Sequence, residues 1–390
     1  MPTTALRDMY TVDADGHVME PADLWLRYLE PEYRDRALQI QVDADGLESL
    51  YGEGKPMRLM RGTLGALGGI EAKDAAARQA FQTPGARTYA EGCPPGGYDP
   101  RARLAVMDSE GIDAALLYPT IGICWEGSVD DPALATAYTR AYNRWIVDFC
   151  SADRRRLVPV AHITLLDPDG AVREAKRARD AGCAAVYLSP DLPARRGRMF
   201  DDPLFARFFA TLEDLEMPLS FHVVARENPL FAPWSLAAGS GDGVFSFAFL
   251  AIDVMAAFTS MMTRGMFEKH PRLRCAVLEA GSNWITAWLG RLDHKYEMGG
   301  FPSPLKLLPS EYFRRQCVIS AEPDEALTGP VLEYLGEDLM VWSSDYPHID
   351  ASFGVVDEIR SRLAGLPESA QRKVLGENAA RFYELSTQEP

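Results

Sequence analysis

Short, almost continuously apolar runs recur along the chain, separated by longer stretches in which apolar and charged positions fall at helical spacing. Eight such runs read as strands, near residues 13, 116, 160, 186, 220, 277, 318 and 341. A continuously apolar strand is buried on both faces, as in a parallel sheet, whereas a strand with one wet face alternates. The stretches between carry helix punctuation. Pro100 to Glu110 is followed by Gly111, a helix starting near Asp167 is closed by Gly182, and Asp201-Asp202-Pro203 opens another. A longer helix is expected from about Pro132 to Ala152, and another from Asp324 to Leu335. Ser282 reads as the N-cap of a helix running through Asp293. The strand near 318 is expected from about Arg315 to Ser320. Eight strands alternating with helices predict an α/β protein whose parallel sheet closes into a (β/α)8 TIM barrel. A doubly wound open sheet is the alternative, but no G-x-G-x-x-G opens its first helix.

The rhythm breaks once, after the first strand. Residues 38–57 alternate about Asp45-Gly46 and predict a β-hairpin, while residues 61–99 are rich in Gly, Ala and Pro. This insertion, about 33–99, lacks the apolar mass for a core of its own. It reads as a lid or dimer element on a single domain covering 1–390.

Composition narrows the function. With 56 acidic against 40 basic residues the net charge is −16, which argues against nucleic acid or an anionic membrane surface as partner and leaves a small-molecule substrate. The six cysteines are scattered without a C-x-x-C pair, and the N-terminus shows no apolar leader, so a reduced, cytoplasmic setting is expected. Val244 to Met262 is nearly long enough to span a bilayer, but Asp253 interrupts it, and a helix packed inside a large α/β protein is the better reading.

Barrel active sites gather at the C-terminal ends of the strands. Asp15 and His17, two apart at the end of the first strand, project to one face. His162 ends the third strand, His222 the fifth and Glu279 the sixth, and Asp345 follows the eighth with His348 close behind. Imidazoles and carboxylates converging in this way suit a divalent transition metal, zinc or manganese.

These motifs carry a resemblance. D-A-D-G-H-V-M-E-P at 13–21, F-H-V at 221–223 and W-S-S-D-Y-P-H at 342–348 resemble the amidohydrolase superfamily. The nearer likeness is to the amidohydrolase-related branch that includes aminocarboxymuconate semialdehyde decarboxylase and γ-resorcylate decarboxylase. The resemblance implies one divalent ion, zinc first and manganese the alternative, held by Asp15, His17, His222 and Asp345. It implies no organic cofactor, and a homodimer. Two positions depart from the commonest pattern. Asp15 stands where the first strand usually carries H-x-H, which favours harder ions such as manganese. Glu279, in L-E-A-G, stands where many members have a histidine.

Asp345, Glu279 and His348 are the catalytic candidates, Asp345 both as ligand and as proton-handling carboxylate. Arg226, Trp284 and His162 are candidates to line the substrate, Arg226 as partner of a carboxylate and His162 as a hydrogen-bonded wall. Trp125 and Trp234 would suit an aromatic substrate. Each also has an ordinary reading: a strand-end Asp caps loops, Arg226 can lie on the surface, and tryptophans pack lids. Three functions compete. The first is non-oxidative decarboxylation of a small aromatic or unsaturated carboxylic acid. The second is hydrolysis of an amide, ester, lactone or C–C bond by water activated at the metal. The third is a metal-free binding barrel.

Overall fold

The first strand, β1 (Val12–His17), is buried along its whole length and lies at one end of the sheet order. The computed structural model describes residues 9–57, 60–70, 79, 83–225, 243–300 and 302–385; Arg226 and Trp234 lie outside the described residues. A hairpin insertion follows, with β2 (Gln39–Val42), β3 (Glu48–Gly52) and β4 (Lys55–Pro56) forming a separate antiparallel sheet. Asp43 to Leu47 closes its first turn through Asp43 N–H to Leu47 O, 2.9 Å. The remaining strands are β5 (Ala114–Tyr118), β6 (Leu157–Ile163), β7 (Ala185–Leu188), β8 (Leu219–Phe221), β9 (Cys275–Val277), β10 (Cys317–Ala321) and β11 (Met340–Trp342). They pair in parallel in chain order from β1 to β11, skipping the insertion. All eight expected strands are therefore present, in a nearly closed barrel wrapped by helices.

The helix punctuation acts as its chemistry dictates. Asp99, Asp131 and Asp167 cap helices Pro100–Glu110, Pro132–Cys150 and Pro168–Ala181 through backbone N–H groups, each with proline opening the first turn. Gly111 and Gly182 end two of them in the left-handed conformation. Three boundaries differ from expectation. Ser282 caps nothing: its N–H and Oγ both bind Glu325, and the helix begins at Trp284. The strand expected at Arg315 starts at Cys317, because Pro309–Gln316 is a helix whose Glu311 folds back onto Leu308 N–H at 2.8 Å. The helix expected at Asp324 starts at Thr328, since Glu325 is drawn to Ser282. Helix Gly243–Thr263 buries Phe258 against the rings of Phe267, Trp284 and Phe313. Among the described residues no helix is long and apolar enough to cross a membrane.

The barrel closes between its first strand and the segment after its last. His17 N–H donates to Tyr346 O at 2.7 Å, and Asp345 N–H to Asp15 O at 3.1 Å. Asp13 accepts from Ser344 N–H at 2.9 Å and from Ser344 Oγ at 2.6 Å. Arg103, from helix Pro100–Glu110, donates to His17 O at 2.8 Å and to Tyr346 O at 3.3 Å, and stands 3.8 Å from Asp13. A Cβ on Gly16 would meet the Arg103 guanidinium at 2.5 Å and the Asp13 carboxylate at 2.6 Å, so only glycine leaves room for this clasp.

Arg103→Met should leave the Asp13 carboxylate buried without its counter-charge and take the Arg103 donor from His17 O, while Tyr346 O keeps only His17 N–H. Breaking a buried pair in this way costs about 3–5 kcal/mol of unfolding free energy. Urea denaturation measures it; a loss below about 1 kcal/mol would show that the clasp contributes little.

Candidate metal centre

The site is built from strand ends. His17 is the last residue of β1, His222 follows β8, Glu279 lies two residues past β9, and Asp345 lies three past β11. His17 Nδ1 lies 3.0 Å from Pro119 O, and His222 Nδ1 lies 2.8 Å from Val223 O. A carbonyl only accepts, so both Nδ1 atoms carry a proton and, in the neutral rings, both Nε2 atoms present lone pairs. Those two Nε2 atoms are 2.8 Å apart. Lone pairs that close repel unless a cation lies against both.

Carboxylates complete the shell. Asp345 Oδ1 is 3.3 Å from His17 Nε2, and Glu279 Oε2 contacts His222 Nε2 closely. His17, His222, Glu279 and Asp345 each offer an atom within 4.8 Å of the others. Asp15 stands beside them, 3.6 Å from His17 Nε2 and 3.8 Å from His222 Nε2. Both oxygens of Asp15 and of Asp345, and Oε2 of Glu279, are buried without a hydrogen-bond partner. Carboxylates so placed are costly unless paired or bound to a metal. The donor set therefore fits a divalent ion. Glu279 and Asp345 also adopt left-handed backbone, with φ of 44° and 53°. Such strain in non-glycine residues costs about 1–3 kcal/mol each and concentrates where function fixes the geometry.

The electrostatics agree. Burial pushes Asp15 and Asp345 well above the usual carboxylate range, and Asp350 and Glu279 push Asp345 further. Burial raises Glu279 as well, against the pull of His222. His17 is driven well below the usual imidazole range by burial and by neighbouring His348 and His222. Burial opposes a charged His222, but Glu279 and Asp15 outweigh it and hold that imidazole up to about 9. The pocket thus seeks positive charge among its carboxylates.

His348 stacks on His17, with ring centroids 3.9 Å apart. Its Nε2 is 2.8 Å from Thr120 Oγ1, whose single proton goes to Val18 O at 2.7 Å. His348 Nε2 must then be the donor, which leaves Nδ1 bare and 2.9 Å from Asp345 Oδ1. Burial pushes the His348 imidazole down to about 3, so that ring stands neutral beside the carboxylate. Glu20 fixes this loop by accepting from the N–H groups of Thr120, Ile121 and Gly122 at 3.2, 2.8 and 3.0 Å.

The other candidates lie apart from the ligand group. His162 Nε2 pairs with Glu126 at 2.9 Å, and its ring is enclosed by Trp125, Tyr142 and Tyr187. Trp284 heads its helix with Nε1 unpartnered and packs on Phe258. Trp125 is buried against Tyr138. Sequence reasoning missed Thr120 and Glu126. Thr120 stands just past the end of β5 and was findable by position, whereas nothing local marks Glu126 as the partner of a histidine 36 residues on.

The family model described as amidohydrolase matches residues 12–385. A curated γ-resorcylate decarboxylase from Rhizobium sp. is 24% identical over 302 residues, covering 73% of this chain and 86% of that protein. The solved structure of an amidohydrolase from Mycobacterium avium subsp. paratuberculosis superposes with a TM-score of 0.76 at 23% identity, over 96% of this chain and 99% of the other. A 5-carboxyvanillate decarboxylase from Novosphingobium aromaticivorans, complexed with manganese and 4-hydroxy-3-methoxy-5-nitrobenzoic acid, does so at 0.69 and 21% identity, over 98% of each chain.

Elemental analysis should find about one divalent ion per native chain, as in sites of this donor count. His17→Ala and His222→Ala should be purified without it. Glu279→Gln should weaken retention against a chelator by about 10–100-fold, and His348→Asn by less than about tenfold. Full occupancy in the two alanine variants would sink the assignment.

Proposed function

Because the chain belongs to the amidohydrolase family, we propose that it removes CO2, without oxidation, from a small hydroxylated aromatic carboxylic acid at the centre formed by His17, His222, Glu279 and Asp345. The observation that carries this reading is the pairing of Asp345 with His348, Oδ1 to Nδ1 2.9 Å, beside the two facing imidazoles, a pair able to handle a proton. Decarboxylation needs an acid there. As the ring–carboxyl bond breaks, its electron pair stays on the ring carbon, and that carbon must take a proton; the aromatic acid is replaced by the arene and CO2. Hydrolysis would use the same pair in the opposite sense, as a base taking a proton from water. The γ-resorcylate decarboxylase relative supports decarboxylation.

When bound, the ion supplies Lewis-acid polarisation and a fixed positive charge for the acid's oxygens. Three carboxylates, Asp15, Glu279 and Asp345, against two imidazoles favour manganese over the zinc expected first from sequence. Glu279 faces His222 and holds that side of the shell. Asp345 and His348 flank the point where the ring carbon takes its proton, with Thr120 and Val18 fixing which imidazole nitrogen faces the carboxylate. The hydrolytic reading draws on one feature, Glu279, a carboxylate beside His222 placed where a base would serve.

Incubation with dihydroxybenzoates under anaerobic conditions should release CO2, and in D2O the product should carry one deuterium at the carbon that lost the carboxyl group. Turnover of esters or amides with no CO2 from any acid would replace this reading with hydrolysis. Thr120→Val, which keeps the shape and removes the hydroxyl, should lower kcat by roughly ten- to a hundredfold while KM and metal content hold, with Thr120→Ser restoring most of the rate. A rise in KM at unchanged kcat would place Thr120 in binding instead.

A further inference from the structure

The insertion after β1 does more than cover the barrel. Its edge, from Gly52 to Met57 with Met60, faces the segment after β5 and the ends of β7 and β8 across a cleft of about 620 Å³. Clefts of roughly 300–1,000 Å³ accommodate ligands of drug size, so a single-ring acid would leave much of this space to water. Tyr187 lines it, edge-on to the metal-centre His222 with ring centroids 6.3 Å apart, and Val224 lines it two residues beyond that histidine. One side-chain layer thus separates the cleft from the proposed ligands.

The lining states what would fit. Met57, Met60, Ile123 and Val224 give apolar walls. Tyr187 is fully buried, and its hydroxyl has no hydrogen-bond partner. A buried hydroxyl left unmatched by the protein is one a ligand can match. Glu126 on the wall is already engaged by His162 at 2.9 Å, which fixes it as an acceptor surface. The charged lining residues are Glu53, Glu126, Asp130 and Asp191 against Lys55 alone, so a second anionic group would be repelled.

We propose that this cleft binds the distal half of an extended substrate: an aromatic monocarboxylic acid bearing a second, uncharged aryl or aryl-ether group that reaches past Tyr187 beneath the inserted hairpin. The proposal rests on the decarboxylase reading for the reacting end of that molecule and on the cleft alone for the rest. The acid group and its ring would lie at the metal centre, and the second group between the methionines of the hairpin and the walls beyond β5 and β7.

Calorimetry on the metal-loaded native protein would compare salicylate, a phenyl-substituted salicylate and a carboxy-substituted salicylate, with CO2 release followed in the same samples. The phenyl compound should bind roughly tenfold or more tightly than salicylate, as expected for an apolar group entering an apolar cleft, and the carboxy compound no more tightly than salicylate. Ser128→Trp, at the exposed rim of the cleft, should drop the phenyl compound to the level of salicylate, and Tyr187→Phe should weaken an aryl-ether analogue more than the phenyl compound. Equal binding of the phenyl compound and salicylate to native protein, or a preference that survives Ser128→Trp, overturns the proposal. A preference for the phenyl compound without CO2 from any acid supports the cleft and removes the decarboxylase reading. CO2 from every acid with equal affinities removes the cleft and leaves the reaction.

Discussion

The structure depends on how its first strand is joined to its last. A barrel must close that seam or expose two strand edges. Here a buried carboxylate does much of the closing: Asp13 gathers Ser344 N–H, Ser344 Oγ and the Arg103 guanidinium. Arg103 in turn ties His17 O to Tyr346 O. The strand end carries the chemistry. The pairing of β1 with β5 is irregular between Asp13 and Gly16, where the Asp13 carboxylate meets Arg103, while Asp15 and His17 lie at the strand's end and Asp345 follows Ser344 by one residue. Fixing Asp13 against Ser344, with Asp345 N–H on Asp15 O, therefore brings Asp15, His17 and Asp345 together.

The same strand shows why similar residues differ in function. Asp13 and Asp15 are both fully buried. Asp13 is saturated with donors, whereas Asp15 has none for either oxygen. A saturated carboxylate is structural; an orphaned one beside two bare imidazole nitrogens stores unfavourable energy that a cation releases. Left-handed backbone at Glu279 and Asp345 adds to that store. These costs are borne at the strand ends, while the apolar lengths of the strands, buried in one continuous core, supply the stability that tolerates them.

This division explains what the sequence disclosed. The strands were legible because burial on both faces leaves continuous apolar runs, and the helix ends at Gly111 and Gly182 because few residues but glycine tolerate their backbone. The residues at the strand ends followed from position: His17, His222, Glu279 and Asp345 stand where a barrel collects its chemistry. What escaped depends on neighbours distant in sequence. Ser282 has the chemistry of a cap but is claimed by Glu325, 43 residues on. His162 stands near the end of β6 as His222 stands just past β8, yet Glu126 and the surrounding rings enclose it. Thr120 gains its role from a carbonyl and an imidazole that only the closed barrel brings together.

The insertion follows from the same geometry. A segment placed after β1 emerges on the face where the strand ends carry the site, so whatever it builds stands over the metal centre. It is also pinned there. Met19 N–H donates to Gly97 O at 2.8 Å, Tyr89 Oη to Glu20 O at 2.9 Å, and Ile70 N–H to Pro347 O at 3.1 Å. Two of those contacts grip the loop after β1 and the third grips the loop after β11, on either side of the seam. Gly96 allows the close approach, since a Cβ there would meet Tyr346 Oη at 2.5 Å. The described parts of the insertion are thus anchored on both sides of the seam. A change in the hairpin edge can reshape the cleft while the clasp at Asp13 continues to hold the ligands. On the proposed reading, reaction and specificity fall on separate parts of the chain: the first on the strand ends that the seam aligns, the second on a hairpin that the seam only anchors.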